Sequence, residues 1–307
     1  MRIENFAGRE LFILNSPSSI LHPMNLIQAI LIGIVQGLTE FIPVSSSAHM
    51  ILVERLMKVD QVLTPEALTA FNAVLQLGTL AAVLLYFLPD IVTITRGFVM
   101  GNLAWLQKKP AGEYAESRML GWLIILGSIP IGTVGLAAKK IIEGNLTKNL
   151  FIISISMIVW ALLLGLAEKI GSARKSMSDL GIVDALIVGF GQVFALIPGS
   201  SRSGTTMACA MFAGIKRDAA ARFSFLLSIP AIAASGLLEM KEAVHFLDRI
   251  GTTNLIAGTI AAALVGYLSI AFFLSYLRNR TMGIFIGYRL IVGIAILALV
   301  TQGIIQP

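Results

Sequence analysis

Residues 36–49 read QGLTEFIPVSSSAH, and residues 197–206 read IPGSSRSGTT. Both put serines, a proline and a charge into a chain that is otherwise mostly apolar, and they share an Ile-Pro-x-Ser-Ser core about 155 positions apart. Hydrophobic residues make up 56% of the 307, charged ones 13%, and the mean hydropathy is +0.85. That balance belongs to an integral membrane protein, so both polar stretches must be read with lipid as the solvent. The formal charge of +6 gathers in short segments between apolar runs. Such a pattern fits cytoplasmic loops beside membrane lipids and argues against nucleic acid as a partner. The single cysteine, Cys209, allows neither an intramolecular disulfide nor a thiolate metal site.

Working outward from the first stretch, Pro43 ends an apolar run over residues 25–42, and only 48–56 follows before Glu54, Arg55 and Lys58 intervene. Neither piece supplies the roughly 20 residues that a helix needs to cross about 30 Å of hydrocarbon. The pair reads as a re-entrant helix–loop–helix. Pro198 divides the second stretch in the same way, into 183–197 and 206–215. Full-length apolar runs follow each pair, at 71–88, 119–137 and 150–166, and at 223–240, 255–277 and 282–300. The expected fold is all-α and membrane-integral: six transmembrane helices plus two re-entrant pairs, in one membrane domain over 24–307. Three spans separate the pairs, so the repeats, about 24–167 and 180–307, should be inverted.

Residues 89–118, with Arg96, Lys108, Lys109 and Arg118, read as a polar loop, and Lys139, Lys140 and Lys148 mark a shorter one. Residues 1–23 read as a loosely ordered extension whose apolar core is too short for a signal peptide, with Met24 as the natural start. Lysines and arginines number twelve on the side of the loops 89–118, 168–222 and 277–283 and nine on the other, which favours the first side as cytoplasmic.

Irregular backbone at membrane depth needs protein or a wet cavity around it, so two serine-rich breaks imply a polar pocket near the midplane. Each break leads into a helix start, whose free amides and positive dipole end suit an anion of the phosphate type. Gln36 and Glu40 stand four apart and face one way on a helix. Glu40 could hold a divalent cation or act as a base; the plainer alternative is a headgroup-level carboxylate. A charge at the bilayer centre costs roughly 2.5–3.5 kcal/mol, so Glu40 and Arg202 should face each other or a bound ion. Among Ser45, Ser46 and Ser47, at least one reads as a helix N-cap. Ser46 is the candidate nucleophile, with His49 three residues on as its base; a histidine merely hydrogen-bonded in a helix is the alternative. Arg202 carries a planar fork suited to clamping phosphate, against the plainer reading of an arginine snorkelling to the headgroups. Gly199 and Gly204 allow a close backbone approach, and Ser45, Ser47, Ser200, Ser201, Ser203 and Thr206 complete the expected phosphate cradle. Asn72 and Gln76 line the same cavity or bond between helices, and His22 and His245 read as surface residues.

With these residues in place, the two motifs resemble the signature of the bacterial undecaprenyl-diphosphatase family, also called the bacitracin-resistance protein family. The resemblance extends over 24–307 and includes FSFLLSIP at 223–230 and a segment at 284–290 similar to IPFAIYRF. It implies an inner-membrane hydrolase that removes the terminal phosphate from undecaprenyl diphosphate and so recycles the carrier for peptidoglycan. It also implies a divalent cation, Mg²⁺ or Ca²⁺, and allows a homodimer. Carried over, the family's functional positions fall on Glu40, Ser46, His49, Ser201 and Arg202. Gln36 stands where many members have a glutamate, which removes one negative charge from the implied metal site. Substrate would enter from the outer face with its prenyl chain in lipid. A prenyl-phosphate transporter or flippase is the alternative, because broken helices in inverted repeats are also a transporter plan. An acid-phosphatase relative would need a histidine six residues after Arg202, where this chain has Ala208.

Overall fold

Asn25 starts the first helix: its Oδ1 accepts from the Gln28 amide, and the Gln28 side chain accepts from the Asn25 amide, each at 2.8 Å. The computed structural model describes residues 24–138 and 149–306. The expectations for residues 1–23, His22 among them, and for Lys139, Lys140 and Lys148 lie outside the described residues. Helix α1 covers Leu26–Phe41 and stops where Ile42 turns extended ahead of Pro43. Helix α2 covers Ser46–Leu56. Thr64 caps α3, Pro65–Tyr86, whose proline sits at the first position, where no amide hydrogen is missed. Then follow α4, Leu88–Leu106, α5, Ala115–Ala137, and α6, Leu150–Ile170, capped by Asn149. The second half repeats the short pair as α7, Ile182–Val193, and α8, Arg202–Phe212. Its long helices are α9, Arg217–Val244, α10, Thr252–Asn279, and α11, Gly283–Thr301.

Among the described residues, six helices are long and apolar enough to cross a membrane: α3, α5 with its preceding turn, α6, α9, α10 and α11. No strand forms among them beyond one isolated bridge between Lys175 and Ile215. The all-α membrane architecture expected from the sequence is therefore present. Residues 89–118 differ from the polar loop expected there, because most of them form α4. Pro89 lies in the first turn of α4, a position that starts helices as readily as proline ends them. Asp90 meets Arg222 of α9 at 2.6 Å, and α4 folds back on α5 through Gly97 and Gly101, against Ser117 and Arg118. Its outer side shows Val92, Val99, Met100, Leu103, Trp105 and Leu106.

Packing between the halves is reciprocal. Helix α1 lies along α10, and α7 lies along α5, which holds the same rank in the first half as α10 in the second. Helix α3 packs on its counterpart α9, and α6 on α11. Small residues permit the close approach, since lipid gives apolar side chains little reason to pair. A Cβ on Gly33 would stand 2.2 Å from the Gly258 carbonyl oxygen, and one on Gly189 2.3 Å from that of Gly127. Phe41, the last residue of α1, belongs to an aromatic cluster. Phe41 meets Phe225 edge to face at 5.2 Å, and Phe87 and Phe273 close around Phe225 at 6.3 and 6.1 Å.

Gly33→Ala and Gly189→Ala should each lower the thermal midpoint in detergent, by an overpacking cost of about 1–3 kcal/mol. Gly165→Ala, whose Cβ would find its nearest neighbour at 3.6 Å, should leave the midpoint unchanged or raise it.

Candidate functional site

The two helix starts are built alike. Ser45 and Ser201 are the N-caps, at φ 78° and 68°, an uncommon backbone for residues other than glycine. Each cap hydroxyl accepts from the amide three residues on, Ala48 at 3.4 Å and Gly204 at 3.3 Å. Each also lies 3.2 Å from a second hydroxyl, Ser47 Oγ in one loop and Ser203 Oγ in the other. Pairing Ser45 with Ser201, and the first helical residues Leu26 and Ile182, gives one frame of 156 positions. The Ile-Pro-x-Ser-Ser alignment is thus one residue out. After Pro198 the second loop carries Gly199 at φ 88°, and before it α7 tightens into a 3₁₀ turn at Phe194–Leu196. In the structural frame Gln36 matches Gln192, Ser46 matches Arg202, and Ser47 matches Ser203.

The breaks come together. Arg202 Nη2 donates to Glu40 Oε1 across 162 positions of sequence, and Gln36 Nε2 donates to Glu40 Oε2 at 2.8 Å. The Glu40 side chain is only 4% exposed and that of Arg202 18%, so each charge offsets the desolvation of the other. The Gly199 amide donates to Ser47 Oγ at 3.1 Å, a second link between the loops.

Beneath them lies a residue that the sequence reading passed over. Arg289 of α11 is fully buried, and its Nη1 donates to the Pro43 carbonyl at 3.2 Å. Its Nη2 donates to the carbonyls of Gly199 at 3.1 Å and Ser200 at 2.9 Å, and Nε reaches that of Met157 at 3.4 Å. All four partners are backbone oxygens, so this side chain staples both breaks to α6. Gly204 leaves room for it, since a Cβ there would meet Arg289 Nη1 at 2.6 Å. A signal did exist in the sequence: one arginine within the apolar run 282–300, where a charge needs a reason.

His49 makes two contacts, and neither is to Ser46. The Ser45 carbonyl lies 2.7 Å from Nδ1, and since a carbonyl only accepts, Nδ1 carries the hydrogen. Tyr288 Oη lies 2.6 Å from Nε2, with the two rings stacked at 5.6 Å and 13°. Ser46, Ser201 and Arg202 are half-buried, and Ser47 is exposed. Ser200 and Thr206 face inward: the Ser200 hydroxyl donates to the Phe194 and Ile197 carbonyls, and that of Thr206 to the Arg202 carbonyl at 2.7 Å. Gly199 lies against α6, where a Cβ would stand 2.3 Å from the Ile153 oxygen. Gln192 is fully buried, and neither of its amide atoms finds a protein partner. Asn72 bonds between helices, donating to Glu54 Oε1 at 2.7 Å, and His245 is exposed in a turn. A cavity of about 330 Å³ beside Glu168, Lys216 and Arg217 also touches Met211 and Ile215, at the far end of α8 from the loops.

Among the described residues no group of three His, Cys, Asp or Glu side chains could cage a metal ion. The donors present at the breaks are the Glu40 carboxylate and, with its amide turned over, Gln36 Oε1. That set fits a hard cation that keeps most of its waters and shares its ligands with a phosphate, as Mg²⁺ does.

Residues 29–295 match the model of a family described as bacitracin resistance protein BacA. The undecaprenyl-diphosphatase of Syntrophobacter fumaroxidans is 47% identical over 277 residues, covering 90% of this chain and 98% of that one. The undecaprenyl-diphosphatase of Chlorobaculum tepidum is 46% identical, over 92% of this chain and all of the relative. That of Myxococcus xanthus is 43% identical, over 92% of each chain.

Arg289→Met should strip the staple and leave buried carbonyls without a donor, at about 1–3 kcal/mol for each group left unsatisfied. The thermal midpoint in detergent should fall sharply. Arg289→Lys should not restore it, because a single ammonium cannot reproduce a planar fork that spans two loops.

Proposed function

Because the chain belongs to the bacitracin resistance protein BacA family, we propose that it is an undecaprenyl-diphosphatase, a multi-pass membrane hydrolase that converts undecaprenyl diphosphate to undecaprenyl phosphate and phosphate. The relatives' names speak for hydrolysis and not for the transport alternative. Within the chain, the observation that carries the reading is the Arg202–Glu40 pair, which brings both serine-rich helix starts to one place.

Arg202 gives up Glu40 and takes the terminal phosphate instead, its fork meeting two oxygens at once. Free amides at the starts of α2 and α8 add positive potential where negative charge builds up in the transition state. The attacking oxygen is that of Ser46 or of a water held beside it. His49 accepts the proton, directly or through a neighbour, and the bridging oxygen departs with undecaprenyl phosphate. When bound, a divalent cation neutralises diphosphate oxygens; Glu40, released from Arg202, and Gln36 would hold it. Ser47, Ser201 and Ser203 border the phosphate, while Ser45, Ser200, Thr206, Gly199 and Gly204 keep the loops in shape. The membrane is the bacterial plasma membrane, with the two broken pairs re-entrant, the repeats inverted and the site open to the outer side. The enzyme works there as a homodimer among membrane lipids.

Phosphate release from undecaprenyl diphosphate by the purified protein tests the reading. Arg202→Ala should lower kcat by about 10²–10³, the loss typical of one charge-stabilising donor. Chelation should stop the wild type and added Mg²⁺ restore it; unchanged turnover in both experiments would overturn the roles given to Arg202 and the cation, and no phosphate release by the wild type would refute the function. Ser46→Ala decides the nucleophile: activity within about tenfold, some 1.4 kcal/mol of barrier, excludes an obligatory phosphoserine. Gln36→Glu should lower the Mg²⁺ concentration needed for half-maximal rate, because it restores a second carboxylate.

A further inference from the structure

His49 has no free lone pair facing the serines. Its Nδ1 hydrogen is committed to the Ser45 carbonyl at 2.7 Å, so in the neutral ring the one basic atom is Nε2, and the Tyr288 hydroxyl occupies it at 2.6 Å. Tyr288 is 43% exposed, while His49 is half-buried. The neighbouring residue, Arg289, is tied to both breaks through Pro43, Gly199 and Ser200, so the backbone that carries Tyr288 is fixed relative to the helix starts. The stacked rings, 5.6 Å apart at 13°, hold the phenol in a fixed place beside the imidazole.

We propose that Tyr288 is a proton relay between His49 and the attacking oxygen. This rests on the reading of His49 as the base. As the nucleophile bonds to phosphorus, its O–H bond breaks and the proton passes to Tyr288 Oη. In the same movement the phenol's own proton passes to His49 Nε2, leaving an imidazolium whose Nδ1–H remains on Ser45. When the bridging oxygen departs, the proton returns through the phenol to that oxygen. Where a water attacks, the cycle is then complete; where Ser46 attacks, a water repeats the same transfer to release phosphate from the serine, and Tyr288 is neutral before and after either course. The arrangement accounts for a histidine three residues from Ser46 that points away from it.

Two substitutions, their double variant and a fluorotyrosine series, all assayed by phosphate release, test the relay. Tyr288→Phe should lower kcat by about 10², the smaller end of what general acid–base catalysis supplies, and leave KM within about twofold. His49→Gln should lower kcat at least as far. The double variant should be no worse than His49→Gln alone, since both members serve one proton path. Replacing Tyr288 with 3-fluorotyrosine and 3,5-difluorotyrosine keeps shape and packing but makes the phenol more acidic, so kcat should change steadily with phenol acidity. A purely structural tyrosine would give a flat series. A flat series, or a Tyr288→Phe variant within about threefold of wild type while His49→Gln is inactive, overturns the relay and leaves the base in place. An active His49→Gln overturns the base reading and the relay with it.

Discussion

Backbone buried away from water must find its hydrogen bonds within the protein, and at the two breaks side chains supply several of them. In water, a loop such as Pro43–Ser45 or Pro198–Ser201 would be solvated at little cost. Here the carbonyls of Pro43, Gly199 and Ser200 are met by one guanidinium, and the Gly199 amide by a serine from the opposite loop. Arg289 is therefore a condition on which the site stands, together with the Arg202–Glu40 pair and the Gly199–Ser47 bond.

The same condition explains how charge is distributed. Arg202, Arg289 and two helix starts lie at the breaks, and among the described residues the carboxylate paired with Arg202 there is that of Glu40. Such a region favours an anion. Glu40 keeps the fold quiet by holding Arg202, and Gln36 holds the second carboxylate oxygen in turn. The aromatic cluster of Phe41, Phe87 and Phe225 adjoins this polar group and keeps its surroundings apolar, which strengthens each electrostatic contact.

Much of this was legible in the sequence, for identifiable reasons. Prolines within apolar runs too short to cross a bilayer exposed both broken pairs, and the cost of an isolated charge in lipid foretold that Glu40 and Arg202 would meet. Helix α4 was not legible, because Arg96, Lys108, Lys109 and Arg118 made residues 89–118 read as a polar loop, whereas Pro89 lies in the first turn of a new helix packed against α5. The frame between the halves came out one residue short because the letters were aligned, while the backbone follows the serine caps. The partner of His49 lies 239 positions away, and no local spacing could show that its ring turns towards Tyr288.

The caps place Ser46 and Arg202 at equivalent positions, each the first residue of its helix. Two copies of a half-length chain, associating as identical partners, would have to present the same side chain twice. They could offer a pair of hydroxyls or a pair of guanidiniums, never one of each. Joining both halves in one polypeptide removes that limit, so one start carries a hydroxyl and the other a guanidinium. The asymmetry is thus a property of covalent linkage, laid over two helix starts whose caps are built alike.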